Sequence, residues 1–149
     1  MDTKRKWPDD MPLAYPLLRV ALGFNLFLHG ISRLLAGVEN FVNSMVKMFQ
    51  NTALPTAVVV PFGYALPWPE AAIGLLLAVG FRTREALVSG VLLMLTLTFG
   101  TTLRQDWEVA AIQLFYSTVC VILIAALRYN SLSVDQKVHG VASLDITRR

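Results

Sequence analysis

The sequence predicts an all-α membrane protein: a polytopic four-helix bundle with a short amphipathic interfacial helix between its first and second spanning helices. Hydrophobic residues make up 55% of the chain and charged residues 15%, whereas an average soluble domain has about 25% charged residues. The hydrophobic residues form long blocks with the charges between them, and mean hydropathy is +0.55. Such blocks are typical of spanning helices, so residues 1–149 are interpreted as a single integral membrane domain.

Charge and cysteine content exclude several other classes of protein. The net charge is +3, but the basic residues are dispersed at the ends of the hydrophobic blocks and form no basic face for nucleic acid. The single cysteine, Cys120, cannot form an intrachain disulfide or an iron–sulfur cage. The first hydrophobic block is longer than the core of a signal peptide and lacks a convincing cleavage site, so we expect an uncleaved anchor helix.

The first spanning helix is predicted over residues 13–36 and carries two distinct faces. Polar side chains recur at a spacing of four residues and share one face; they are Asn25, His29 and Arg33. Glycines recur every seven residues on a second face, where a missing side chain lets a neighbouring helix approach closely; they are Gly23, Gly30 and Gly37. We therefore expect the polar face to contribute to a site and the glycine face to pack.

Residues 38–50 form an amphipathic segment that is too short to span the bilayer. Apolar side chains at helical spacing occupy one side, and polar side chains that include Glu39, Asn43 and Lys47 occupy the other. Two interpretations are about equally favoured: a helix lying in the membrane interface, or a helix packed on the protein's own outer surface.

The second spanning helix, over residues 57–80, is the most informative stretch of the chain. Three prolines in its first half, Pro61, Pro67 and Pro69, each remove a backbone donor and predict a kink or a break. Glu70 follows them, alone in an otherwise apolar run. A carboxylate in lipid is costly, so we expect a side chain from another helix to pair with it.

Two further spans are predicted over residues 86–103 and 107–127. A polar turn at 81–85 precedes them, and a polar, loosely ordered tail at 128–149 follows, in which VDQKVHGV has the composition for a short helix. Most lysines and arginines lie on the side that holds both termini and the 81–85 turn. By the positive-inside rule, both termini are predicted to be cytoplasmic.

Polar groups from all four spans are predicted to face inward in one layer in the outer half of the bilayer. Glu70 would pair there with His29 or with an arginine. An ionisable, partly apolar pocket of this kind suits an amphipathic ligand such as a quinone, with His29 and Glu70 as the catalytic proton carriers. The predicted quinone-binding residues are Asn25, Arg33, Trp68, Arg104, Gln113 and Tyr116, with Phe24, Phe62 and Tyr64 as further candidates for the pocket wall.

A structural interpretation stands beside this one. Polar pairs in membrane bundles often only hold helices together, each contributing roughly 0.6–2 kcal/mol, and this reading is favoured for Gln113 and the threonines. It is disfavoured for His29, Arg33, Glu70 and Arg104, because four ionisable groups are a costly way to join helices. No haem, iron–sulfur or metal site is expected, since His29 and His139 lie at opposite ends and the ligand count is too low.

Four stretches together resemble one known family of membrane proteins. They are LLRVALGFNLFLHGISRL, FQNTALP, PFGYALPWPEAAIGLLLAVGFRTREAL and LTFGTTLRQDWEVAAIQLFY. Their order and spacing are similar to those of the DoxX/DoxD family, which includes the small membrane subunit of thiosulfate:quinone oxidoreductase. The resemblance covers about residues 17–135. It implies a four-helix bundle in a bacterial inner membrane and a link to quinone-coupled redox chemistry.

Three functions therefore remain open at this stage. The first is a redox-associated subunit that binds quinone, and if it is an enzyme, a quinone-linked oxidoreductase of the thiosulfate type. The second is a non-enzymatic scaffold that contacts a redox partner protein or a periplasmic subunit, with the lipid bilayer and a second copy of the chain as further partners. The third is a lipid or small-molecule carrier, in which the proline-broken helix gates a pocket.

Overall fold

The computed structural model describes residues 7–136. All the regular secondary structure within that range is helical. Four segments are long and apolar enough to cross a membrane, which confirms the predicted polytopic bundle. The basic residues Lys4, Arg5 and Lys6, and the tail beyond residue 136 with His139, lie outside the described residues. The helices are α1 (Trp7–Leu35), α2 (Val38–Phe49), α3 (Thr56–Ala65), α4 (Pro67–Val79), α5 (Thr83–Leu103) and α6 (Trp107–Ala125), followed by a 3-10 turn, Leu127–Tyr129.

Helix α1 begins at Trp7, earlier than the sequence indicates. Pro12 and Pro16 lie inside it. Membrane helices tolerate proline because neighbouring groups and local adjustments satisfy the freed carbonyls. Asp9 and Asp10 occupy the first turn, where negative charge interacts favourably with the helix dipole. The predicted start was therefore wrong.

The bundle is built from two antiparallel pairs, α1 with α4 and α5 with α6. Glycines bring the first pair together. A Cβ on Gly23 would lie 2.5 Å from the backbone nitrogen of Ala78, and a Cβ on Gly30 would lie 2.6 Å from the carbonyl oxygen of Pro67. Gly37 differs, because it lies in the turn before α2 with φ +92. Two of the three predicted packing glycines thus pack, and the third makes a turn.

A break divides the second span, as the prolines predicted. Helix α3 ends at Ala65 and α4 begins at Pro67, with Leu66 between them. The Leu66 amide still donates to the Phe62 carbonyl oxygen at 2.8 Å, but Pro67 has no amide hydrogen with which to continue the helix. Below the break α4 packs on α1 and α5, and above it α3 packs on α2.

Helix α2 lies on the outside of α3 and covers it. Its buried residues are Val42, Met45 and Phe49, and with Val59 of α3 the last two form a small second hydrophobic cluster. The apolar side of the amphipathic segment is therefore packed on the protein itself. Its polar side, which includes Glu39 and Lys47, is exposed.

The first residues of the predicted tail are ordered against the bundle, so the expectation of a loose tail is wrong for residues 128–136. Arg19, only 2% exposed, donates hydrogen bonds to the Asn130 side chain and to the Leu132 carbonyl oxygen. The Asp135 carboxylate accepts from the amides of Arg82 and Thr83 at 2.7 and 2.9 Å. This long-range cap explains why α5 begins at Thr83 rather than at residue 86. Residues 134–136 are helical, and the rest of the stretch VDQKVHGV, which was predicted to hold a short helix, lies outside the described residues.

The glycine contact between α1 and α4 gives the first testable prediction. Gly74→Ala places a Cβ 2.7 Å from the Gly23 carbonyl oxygen, so the two helices must separate. Overpacking of this kind costs about 1–3 kcal/mol, and we expect a lower thermal midpoint in detergent. Gly90→Ala is the matched control, because its Cβ would come no closer than 3.4 Å to the Cys120 sulfur and 3.8 Å to Cγ2 of Ile73. Equal midpoints for the two variants would contradict the close packing.

Candidate functional site

The best-defined polar contact in the bundle is an ion pair between α1 and α4. Glu70, in the first turn of α4, is 2% exposed, and its Oε2 pairs with Nη1 of Arg33. The guanidinium of Arg33 also lies 4.5 Å from the centre of the Phe41 ring in α2, within range of a cation–π interaction. The sequence allowed either His29 or an arginine as the partner of Glu70, and in the structure the partner is Arg33.

His29 lies on the exposed side of α1. Its Nδ1 is 3.0 Å from the backbone carbonyl oxygen of Asn25, and a ring nitrogen in that position must donate. Trp68 is also directed outward and is 64% exposed, as are Phe24 at 57% and Tyr64 at 46%. These aromatic side chains suit the lipid-facing surface, and they do not line the hollows described below.

Two further hydrogen bonds between side chains join neighbouring spans. The Tyr116 hydroxyl donates to the Asn25 side-chain oxygen at 3.0 Å, which joins α6 to α1. The Thr101 hydroxyl donates to the Gln113 side-chain oxygen at 2.9 Å, which joins α5 to α6. Each of these hydrogen bonds holds two helices together. Asn25, Tyr116 and Gln113 therefore have structural roles in addition to any binding role.

Arg104, at the end of α5, is paired as well. Its Nη2 lies 2.9 Å from Oδ2 of Asp106, and its guanidinium is 5.5 Å from the centre of the Phe49 ring. The second oxygen of Asp106 accepts from the Val109 amide at 3.3 Å and so caps α6. Each arginine near the site thus has one carboxylate partner, so these four side chains sum to no net charge.

Arg33, Arg104 and Gln113 line one cavity of about 180 Å³, which we call the polar cavity. It lies between the end of α1, α2, α3, α5 and the start of α6. Thr101 is its fourth main polar contributor. The apolar part of its wall comes mostly from α2 and α3, with Phe41, Met45, Met48, Phe49, Phe62 and Leu66.

A second hollow of about 230 Å³ adjoins the polar cavity, and we call it the apolar hollow. Its lining carries one hydroxyl, that of Thr96, and no charged side chain. Residues that line both spaces are Met45, Phe49, Phe62, Thr96 and Gly100, and residues that line only the hollow are Leu54, Val58, Val59 and Phe99. The two spaces are therefore neighbours with a shared wall.

Sequence reasoning missed the contribution of α2 to this site. The apolar stripe of residues 38–50 was the available signal, but a stripe does not specify which surface it covers. Among residues 7–136, no group of three or more His, Cys, Asp or Glu side chains could hold a metal ion.

Comparison with known proteins identifies a family. A family model described as methylamine utilisation protein MauE matches residues 11–108, more than half of the chain. No curated protein and no solved structure matches. The match corrects the predicted membership of the DoxX/DoxD family, because MauE is a different membrane protein family. Each of the short motifs behind that resemblance, such as HG in the first span and a glutamate followed by a glycine-rich helix, is only modestly specific.

The Arg33–Glu70 pair gives the second prediction. Arg33→Gln leaves a buried carboxylate without its counter-charge, a loss that typically costs about 3–5 kcal/mol. Adding Glu70→Gln removes that carboxylate, so we expect the double variant to recover much of the lost stability. The measurement is a double-mutant cycle of unfolding in detergent, with Glu108→Gln on the exposed start of α6 as the control. Additive effects of the two substitutions would show that the pair is not coupled.

Proposed function

The chain belongs to the MauE family, and we propose that it is an accessory membrane protein that binds a neutral quinone-type ligand in the polar cavity. The description of that family supplies the proposed setting, which is methylamine utilisation. The proposed location is a bacterial inner membrane, with both termini in the cytoplasm.

The observation that carries the proposal is the pairing of a polar cavity with an apolar hollow. Guanidinium and amide groups of Arg33, Arg104 and Gln113 are available at one end, and hydrocarbon surface adjoins them. Each space is smaller than the roughly 300–1,000 Å³ of a site for a drug-sized ligand. A compact head with a chain attached fits this division better than a large, uniformly polar molecule.

Charge balance favours a neutral head over an anionic one. Arg33 is paired with Glu70, and Arg104 is paired with Asp106. An anion such as thiosulfate would have to compete with these carboxylates for the same guanidinium groups. A carbonyl oxygen needs only a hydrogen-bond donor, which a paired guanidinium with five N–H groups still supplies.

The geometry supports binding more than catalysis. The predicted proton carrier Glu70 is held by Arg33, and His29 lies on the exposed side of α1 with a contact to its own helix. A catalytic pair would need both groups to reach one ligand atom. We therefore propose a binding subunit, in which electrons and protons are handled by a partner.

A second candidate function is an assembly subunit that contacts a partner outside the membrane. The exposed polar side of α2 favours it, because Glu39, Asn43 and Lys47 present mixed charge and amide groups. Photo-crosslinking from Asn43 in cells tests this candidate. A specific cross-linked protein supports it, and cross-links to lipid alone count against it.

The third prediction concerns the ligand. Protein isolated with its native lipids should retain quinone, detected by mass spectrometry. Gln113→Met removes the amide and should lower quinone content, because one head-group contact is lost. Thr102→Val is the control, because the Thr102 hydroxyl donates to the Thr98 carbonyl oxygen of its own helix and does not line the cavity. Equal quinone content in both variants and the parent, or none in the parent, would contradict the proposal.

The fourth prediction concerns orientation. Single cysteines are placed at Glu39 in α2 and Arg84 in α5, in a Cys120→Ser background. A thiol reagent that does not cross membranes should label the Glu39 position in intact cells and the Arg84 position only after lysis, because both termini are proposed to be cytoplasmic. Labelling in the opposite order would invert the proposed topology.

A further inference from the structure

We propose that the apolar hollow is a subsite for the hydrocarbon chain of the ligand, and that this chain enters from the bilayer between α3 and α5. The inference rests on the proposed function, because the polar cavity must hold the head of the same molecule. It adds the position of the chain and the direction from which the ligand arrives.

The hollow lies beside α3, the part of the second span that precedes Leu66. Below Leu66, α4 packs along α5, whereas α3 above it has its main contacts with α2. Neither Pro67 nor Pro69 supplies an amide hydrogen to the helix, which ends the hydrogen-bond ladder of α3 at Leu66. The hollow lies between Val58 and Val59 of α3 and Phe99 and Gly100 of α5.

The outer rim of the hollow faces the lipid side of the bundle. Val58 is 51% exposed and Phe99 is 62% exposed, although both also line the hollow. The side chains of Val58 and Phe99 therefore lie between the hydrocarbon of the bilayer on one side and the hollow on the other. A chain therefore passes between α3 and α5 without crossing a polar surface.

The inner end of the hollow adjoins the polar cavity. Phe49, from the end of α2, lines both spaces, as does Gly100. Glycine matters at that point: a Cβ on Gly100 would lie 3.3 Å from Cζ of Phe49, so a larger side chain would fill the passage. A molecule with its head against Arg104 thus has a direct path for its chain into the hollow.

The composition of the lining identifies the occupant as a single neutral chain. Thr96 supplies the one hydroxyl of the hollow, and that hydroxyl already donates to the Leu92 carbonyl oxygen at 2.9 Å. A phospholipid head placed here would lose its hydration without gaining a charged partner. A chain gains no hydrophobic free energy on moving from lipid into the hollow, so the subsite fixes the position of the chain more than it raises affinity.

The test therefore measures where the hydrocarbon chain of the ligand lies in the protein. The protein is reconstituted in vesicles with two photoreactive quinone analogues, one with a diazirine on the head and one with it on the chain near the ring. The chain probe should label peptides that contain Val58 and Phe99, and the head probe should label those that contain Arg104 and Gln113. Excess unlabelled quinone should abolish both signals.

Two variants test the path. Val59→Phe should lower chain labelling of the hollow and retain head labelling, because Val59 lines the hollow but not the polar cavity. Leu92→Phe, on the lipid-facing side of α5 and 60% exposed, is the control and should change neither signal. A phospholipid with a diazirine on its acyl chain should label residues of the hollow no more strongly than it labels residues on the lipid-facing surface.

The outcomes separate the two proposals. Competed head labelling at Arg104, with the chain probe attached elsewhere in the bundle, would overturn the chain subsite and leave the proposed function standing. Equal labelling of the hollow by the phospholipid probe would also overturn it. If neither quinone probe is competed by unlabelled quinone, the proposed function fails and the chain subsite fails with it.

Discussion

The buried Arg33–Glu70 pair is the constraint on which the half of the bundle nearest α2 and α3 depends. Glu70 is only 2% exposed and lies among apolar helices. An unpaired carboxylate in that position would be strongly unfavourable, so Glu70 needs the charged partner that Arg33 supplies. Satisfying it fixes the end of α1 against the start of α4, and the cation–π contact from Arg33 to Phe41 brings α2 to the same place. Helix α2 then closes the polar cavity from outside.

The rest of the architecture follows from two local features of the chain. Glycines at 23, 30 and 74 let α1 and α4 approach closely, which places Arg33 within reach of Glu70. Prolines at 67 and 69 interrupt the second span between α3 and α4, and the apolar hollow lies between α3 and α5. The close packing thus depends on residues that lack a side chain, and the break in the second span depends on residues that lack an amide hydrogen.

Features that depend on local pattern could be predicted from the sequence. The four spans, the break before Pro67 and the need of Glu70 for a partner all follow from composition and spacing. Features that depend on contacts between distant residues could not. Asp135 caps α5 from more than fifty positions away along the chain, and no local signal marks it. The sequence also could not show that the Trp68 side chain points outward, because an aromatic residue in an apolar run suits both the lipid-facing surface and the core.

The most direct test of this account is the charge state of Glu70 in the membrane. Infrared difference spectra of the parent protein and Glu70→Gln, recorded in lipid at neutral pH, separate an ionised carboxylate from a protonated carboxyl group. The account predicts that the substitution removes a carboxylate band, and that Arg33→Gln perturbs the same band. Loss of a protonated carboxyl band instead, with no response to Arg33→Gln, would contradict the ion pair and the neutral polar cavity built on it.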